Sequence, residues 1–243
     1  MAARRLDKLD EVCRLVEKEY GTAIKLKCDV TDPAALHEAV DKAVQAFGGI
    51  DVAVANAGFG VNGAFQKLNT DDFRRQFETN VFGVINTIYA VLPYLVQSKG
   101  RLGLVSSVMG RVGMPASAAY CASKFAVCGL SESLYYELAA KGVSVTCIEP
   151  GLVESDIRRT DNIGNLHADR PDPAPQWLVM PSDKAARKMV HALYRRKPEA
   201  VITNHGKTLV FLNRHFPGTM RFILRRFAGD TDSVERAKRG HVE

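Results

Sequence analysis

A chain of 243 residues, 46% hydrophobic and 25% charged, can bury one sizeable core and is neither disordered nor fibrous in composition. Its net charge of +6 is lopsided, with 14 Lys/Arg against 5 Asp/Glu in residues 184–243, yet no recognition motif accompanies the basic excess and no nucleic-acid partner is expected. No apolar run reaches the ~18 residues of a spanning helix, and residues 1–20 hold no signal-peptide core, so the expected location is cytoplasmic. Five cysteines, at positions 13, 28, 121, 128 and 147, lack metal-ligand or disulfide spacing and read as reduced packing residues.

Residues 4–20 carry Leu6, Leu9, Val12, Cys13 and Val16 at helical spacing, with Gly21 at the stop. A short β-compatible run, 24–28, leads into Asp32-Pro33, a helix cap followed by proline at the first helical position. Leu36, Val40, Ala43, Val44 and Phe47 then stripe a helix closed by Gly48-Gly49. Residues 50–55 form an apolar strand, and Asn69-Thr70-Asp71-Asp72 opens a long helix that Pro93 is expected to kink. Residues 102–106 and 143–148 are further buried strands, separated by a helix over 117–140. Such alternation, with strands lacking polar positions, predicts a parallel sheet covered by helices on both faces. Residues 154–181, irregular and holding Pro171, Pro173, Pro175 and Trp177, read as a substrate lid. A helix from Pro181-Ser182-Asp183 to Arg196 and a strand over 200–203 follow, then a basic, apolar extension over 204–243. All of this forms a single domain, 1–243, without internal repeats.

In open α/β sheets ligands bind beyond the carboxyl ends of the strands. Those ends carry Asp29, Asn56-Ala57-Gly58, Ser106-Ser107 and Pro150-Gly151-Leu152-Val153. Beside them Tyr120 and Lys124 stand four apart on a helix, one face and about 5–6 Å between Cβ atoms, a plausible acid/base pair. A free phenol titrates near ~10 and must come down by about three to act as a base at neutral pH. A contacting cation supplies about one to three of that, so further positive charge is needed. Gly58-Phe59-Gly60-Val61-Asn62-Gly63 satisfies G-x-G-x-x-G, but no helix opens after it, and it reads as a flexible loop above the site.

The set Asp29-Val30, Asn56-Ala57-Gly58, Asn80-Val81-Phe82-Gly83, Ser107, Tyr120-x-x-x-Lys124 and Pro150-Gly151 resembles the short-chain dehydrogenase/reductase superfamily from about residue 4 to residue 157. The resemblance implies a Rossmann-like, doubly wound α/β fold, incomplete at its N-terminal end. Members open with a strand, a glycine-rich phosphate loop, a helix and a second strand, of which only the end stands here. It implies Tyr120 as catalytic acid/base, Lys124 as the group that lowers its pKa and holds the nicotinamide ribose, Ser107 as the substrate-oxygen donor and Asn80 as the anchor of a proton-relay water. Cofactor contacts are implied for Asp29, Val30, Asn56, Ala57, Gly58, Pro150, Gly151, Val153 and Ser155, with Tyr120 and Lys124. Arg4, beside Arg5, falls where a cation for a 2′-phosphate is placed, which points to NADP(H) over NAD(H). The implied activity is hydride transfer between an alcohol and a carbonyl on an apolar, lipid- or steroid-like small molecule. The alternative is a truncated, catalytically silent relative acting as an interaction module or unable to hold cofactor. Interleaved apolar and basic residues over 207–227 suggest a peripheral membrane contact, and a homodimer is a further implied partner.

Overall fold

The computed structural model describes residues 1–228. Strands β1 (Ala2–Ala3) and β2 (Leu26–Lys27) form a parallel pair, joined by helix α1 (Leu6–Lys18). Helix α2 (Pro33–Phe47) starts as expected: the Asp32 carboxylate accepts from the Ala34 and Ala35 amides at 2.9 and 3.1 Å, and Gly48 closes it at φ +83°. After β3 (Val52–Ala55) the chain runs to α3 (Thr70–Phe77), where Asn69 and Asp72 form a reciprocal capping box. A π-helical turn, Glu78–Phe82, passes straight into α4 (Gly83–Ser98). The irregularity in this long helix therefore lies at residues 78–82. Pro93, where the sequence predicted it, sits inside α4. The whole run Thr70–Ser98 is apolar enough by length and hydropathy to cross a membrane, contrary to the sequence count. Its Val84, Ile88, Val91 and Leu95 are nonetheless core residues, and α4 packs on α2 and β3.

Strand β4 (Arg101–Val105), helix α5 (Ala118–Ala139), β5 (Ser144–Glu149), α6 (Ser182–Tyr194) and β6 (Glu199–Val201) complete the α/β alternation, followed by α7 (Asn204–His215) and α8 (Pro217–Ala228). The main sheet is parallel in the order β3-β4-β5-β6. Leu102, Leu104 and Val145 meet α4 and α5 in one core cluster, while Val105, Ile148 and Ile202 meet α6 in a second on the opposite face. The strands read as continuous apolar runs because both faces are covered.

The doubly wound sheet is divided in two. Among the described residues no strand bridges β1-β2 and the four-stranded sheet. Packing supplies the connection: Leu26, Cys28 and Val30 join the same core cluster as Ala53 and Ala55. The outer edge of β3 is left open, and Val52 and Val54 are each 45% exposed where Leu102 and Leu104 of the neighbouring strand are fully buried. Unpaired parallel edges of this kind leave main-chain groups to solvent.

Candidate active site

Strand β4 leads directly into Ser106 and Ser107. The Ser106 hydroxyl donates to the Lys124 carbonyl at 2.8 Å, which fastens α5 to the strand end. Ser107 caps a short 3-10 turn by accepting from the Met109 amide at 3.1 Å, and its own hydroxyl reaches the Pro150 carbonyl only at 3.4 Å and faces the Tyr120 phenol. So weakly engaged a hydroxyl is free to turn toward a ligand oxygen. Tyr120 and Lys124 lie on the first two turns of α5, with the Lys124 Nζ 5.6 Å from the Tyr120 ring centroid and donating to the Val105 carbonyl at 3.0 Å.

Asn80 is completely buried inside the π-helical turn, an insertion that often marks functional helices. Its amide donates to the Phe59 carbonyl at 3.0 Å and the Ser123 hydroxyl at 3.2 Å, and its oxygen accepts from the Phe59 amide at 3.1 Å. The side chain is thus committed to positioning the loop after β3. Gln76, one turn earlier, does the same, donating to the Phe59 carbonyl at 2.8 Å and accepting from the Val61 amide at 2.6 Å. Residues 58–63 are therefore pinned and not a flexible loop: Phe59, Gly60 and Val61 are buried. The sequence overlooked Gln76, although its spacing of four from Asn80 places both on one helix face.

Burial dominates the electrostatics. It pushes the Tyr120 phenol up to about 12, with a hydrogen bond to Ser107 drawing it partly back, and pushes the Lys124 ammonium down to about 8. The sequence expectation that Lys124 lowers the phenol pKa is not met in this state. At 5.6 Å from the ring and engaged with Val105, the ammonium does not offset the desolvation. A phenol so raised stays protonated at neutral pH.

The other anticipated residues separate into two groups. Asn56, Ala57 and Gly58 are exposed at the end of β3. A Cβ on Gly58 would stand 3.0 Å from Asn80 Oδ1 and 3.6 Å from Lys124 Nζ, so the glycine keeps the approach to the lysine open. The Pro150 carbonyl accepts from the Val108 amide at 2.9 Å, and Gly151 is pressed against Thr203 and His205. His205, also unanticipated, accepts from the Leu152 amide at 3.0 Å, and burial lowers its pKa. Val153 bridges Met180 across the base of the lid, while Ser155 is exposed. Asp29, Val30 and Arg4 belong to the β1-β2 side. Asp29 holds the Thr31 amide and hydroxyl at 3.0 and 2.9 Å, Val30 packs on Gly83, and Arg4 stands 4.0 Å from Asp29. Arg5, the neighbour of the anticipated Arg4, makes a 2.9 Å ion pair with Asp156 at the start of the lid.

These residues fit the nicotinamide-ribose half of a dinucleotide, with Lys124 and the bare Gly58 facing one space. Among the described residues no glycine-rich turn opens a helix for the pyrophosphate: Gly63 is followed by a three-residue 3-10 turn, Phe65–Lys67, before α3.

Residues 154–181 are fastened to the loop after β3 by reciprocal amide bonds. The Asn62 amide donates to Asn162 Oδ1 at 2.9 Å, and Asn162 Nδ2 donates to the Asn62 carbonyl at 2.8 Å, while Ser117 donates to Asn62 Oδ1 at 3.0 Å. Losing both Asn162 bonds in Asn162→Ala is expected to loosen the lid by about 1–3 kcal/mol. The corresponding outcome is a several-fold higher KM with kcat little changed, checked by steady-state kinetics and by faster proteolysis within residues 154–181.

A sequence profile described as short chain dehydrogenase matches residues 1–165. The chain belongs to the short-chain dehydrogenase family. It is 39% identical over 155 residues to "Oxidoreductase BOA17" of Botryotinia fuckeliana, covering 63% of this chain and 56% of that protein. To a "3-ketodihydrosphingosine reductase" of Bacteroides thetaiotaomicron it is 34% identical over 166 residues, covering 68% and 62%. The chain thus spans less than two thirds of the length of these curated relatives. The crystal structure of a gluconate 5-dehydrogenase from Burkholderia cenocepacia, in complex with NADP and tartrate, superposes with a TM-score of 0.61 at 26% identity, over 65% of this chain and 63% of that one. The short-chain dehydrogenase fold explains why Ser107, Tyr120, Lys124 and Asn80 meet here although they are spread over more than forty positions of sequence.

Proposed function

We propose that this short-chain dehydrogenase is an NADP(H)-dependent oxidoreductase that interconverts an alcohol and a carbonyl on an apolar, lipid-like molecule. The observation that carries the reading is the half-buried Tyr120 beside Ser107 and Lys124 at the carboxyl ends of β4 and β5. A bound nicotinamide supplies or accepts the hydride. The chain's own residues handle the oxygen: Tyr120 holds a proton against a carbonyl oxygen, and the lightly engaged Ser107 hydroxyl offers a second donor to the same atom. Lys124, with a lowered pKa, is suited to return a proton toward the phenol side of the site. Asn80 and Gln76 keep the Gly58–Val61 backbone in place beside it. Exposed Ile163, Leu166 and Trp177 on the lid favour an apolar substrate, as does the name of the sphingosine-related reductase. Arg4 and Arg5 on the β1 side, and the NADP in the gluconate dehydrogenase, support the phosphorylated cofactor.

The test is reduction of a long-chain 3-keto amino alcohol and of a short polar ketone, each with NADPH and NADH, followed by absorbance of the reduced nicotinamide. Faster turnover of the long-chain ketone with NADPH supports the reading. Turnover with neither cofactor, while both bind, overturns the activity, and preference for NADH or for the polar ketone overturns the finer assignment.

A further inference from the structure

Beyond the site, the molecule carries a cationic and aromatic surface that the proposed chemistry leaves unused. Between residues 204 and 228 the chain has Lys207, Arg214, Arg221, Arg225 and Arg226 and no acidic residue. None of the five side chains is engaged in an ion pair or hydrogen bond among the described residues. Phe211, Phe216, Phe222 and Ile223 are exposed among them, Phe222 to 72%. The surface is held firmly. The Thr203 hydroxyl caps α7 through the Gly206 amide at 3.2 Å, Asn213 Nδ2 donates to the Arg111 carbonyl at 3.0 Å, and Met220 buries the inner face of α8.

We infer that α7 and α8 form a docking surface for an anionic lipid bilayer. Five cations with no acidic partner among the described residues match a layer of negatively charged headgroups, and the phenyl rings between them have the size and apolar character to sit at the headgroup–acyl boundary. Charge argues against a second copy as occupant: a two-fold contact would set this cationic surface against itself. The argument is independent of the cofactor and substrate, so its failure leaves the proposed activity standing.

The experiment is co-sedimentation of the full chain with vesicles of phosphatidylcholine alone and of phosphatidylcholine with about a third phosphatidylserine. Retention on the anionic vesicles only is expected, with release at about 1 M salt, where the Debye length is ~3 Å. The variant R221Q/R225Q/R226Q keeps the apolar packing and is expected to bind on the order of a hundredfold more weakly. A second variant, F222S/I223S, verified as folded by circular dichroism, is expected to lose retention at moderate salt. Absence of sedimentation, equal sedimentation with neutral vesicles, or undiminished binding of both variants overturns the inference. So does a lipid-free dimer dissociated by F222S/I223S, which would assign the face to a second copy.

Discussion

Turnover of Tyr120→Phe is expected to fall by about a thousandfold, within the ~10²–10⁴ that a positioned proton donor contributes. The deletion removes one hydroxyl that faces Ser107, so the melting temperature and nicotinamide affinity are expected to stay near those of the parent. Single-turnover kinetics with saturating cofactor separate the chemical step from binding. Retention of more than about a tenth of the parent rate would remove Tyr120 from the proton-donor role. The pH dependence follows from the direction of the shift. With burial holding the phenol up to about 12, the reductive reaction is expected to show no loss attributable to Tyr120 between pH 6 and 9, since the donor remains protonated throughout.

The largest effect on stability is expected at Arg111. Glu149, the last residue of β5, is completely buried; its Oε1 accepts from Arg111 Nε at 2.8 Å, and its Oε2 has no partner. Arg111 continues to Glu199 at 3.0 Å, which ties β6 to the same cation. Arg111→Met would strand a buried carboxylate, at a cost of about 3–5 kcal/mol near neutral pH. Burial raises the Glu149 pKa above the usual carboxylate range even though Arg111 opposes it. A carboxyl whose pKa is higher folded than unfolded favours the folded state when protonated and loses that advantage as pH rises through its unfolded and then its folded pKa. Without Arg111 the folded value rises further. The deficit of Arg111→Met is therefore expected to be small in acid and to grow toward neutrality, read from urea midpoints across pH. The double variant with Glu149→Gln should recover part of it, whereas a deficit independent of pH would exclude an ionised Glu149 as the cause.

Period and caps made most of the architecture legible. Asp32-Pro33 and Asn69 through Asp72 cap α2 and α3 where their chemistry demands, and the apolar runs became the buried strands β4 and β5. Tyr120, Lys124 and Ser107 were readable because short-range helix geometry and strand-end position already converge on one rim. Contacts set by the tertiary fold were not readable. Asn62 and Asn162 are 100 residues apart, and Arg111 meets Glu149 from a turn with no distinguishing pattern. Local features also misled: Pro93 drew the expected irregularity away from residues 78–82, where an extra residue is absorbed into a π-helical turn. The phenol pKa went astray because a four-residue spacing brings two side chains near each other without saying how much water they lose.

A core cluster shared across a divided sheet implies that rigidity is unevenly distributed. Amides between β4 and β5 are paired inside the sheet beneath buried side chains, and their hydrogens should exchange only through deep unfolding, while those on the outer edge of β3 need no opening at all. Deuterium uptake would then age the molecule from one side, with β1, β2 and the outer edge of β3 labelled while the strand ends that carry Ser107 and Pro150 are still protiated. Ser107, Pro150 and the face of α5 that meets them are thus mounted on the slow half of the protein, and Arg4 and Asp29 on the fast half.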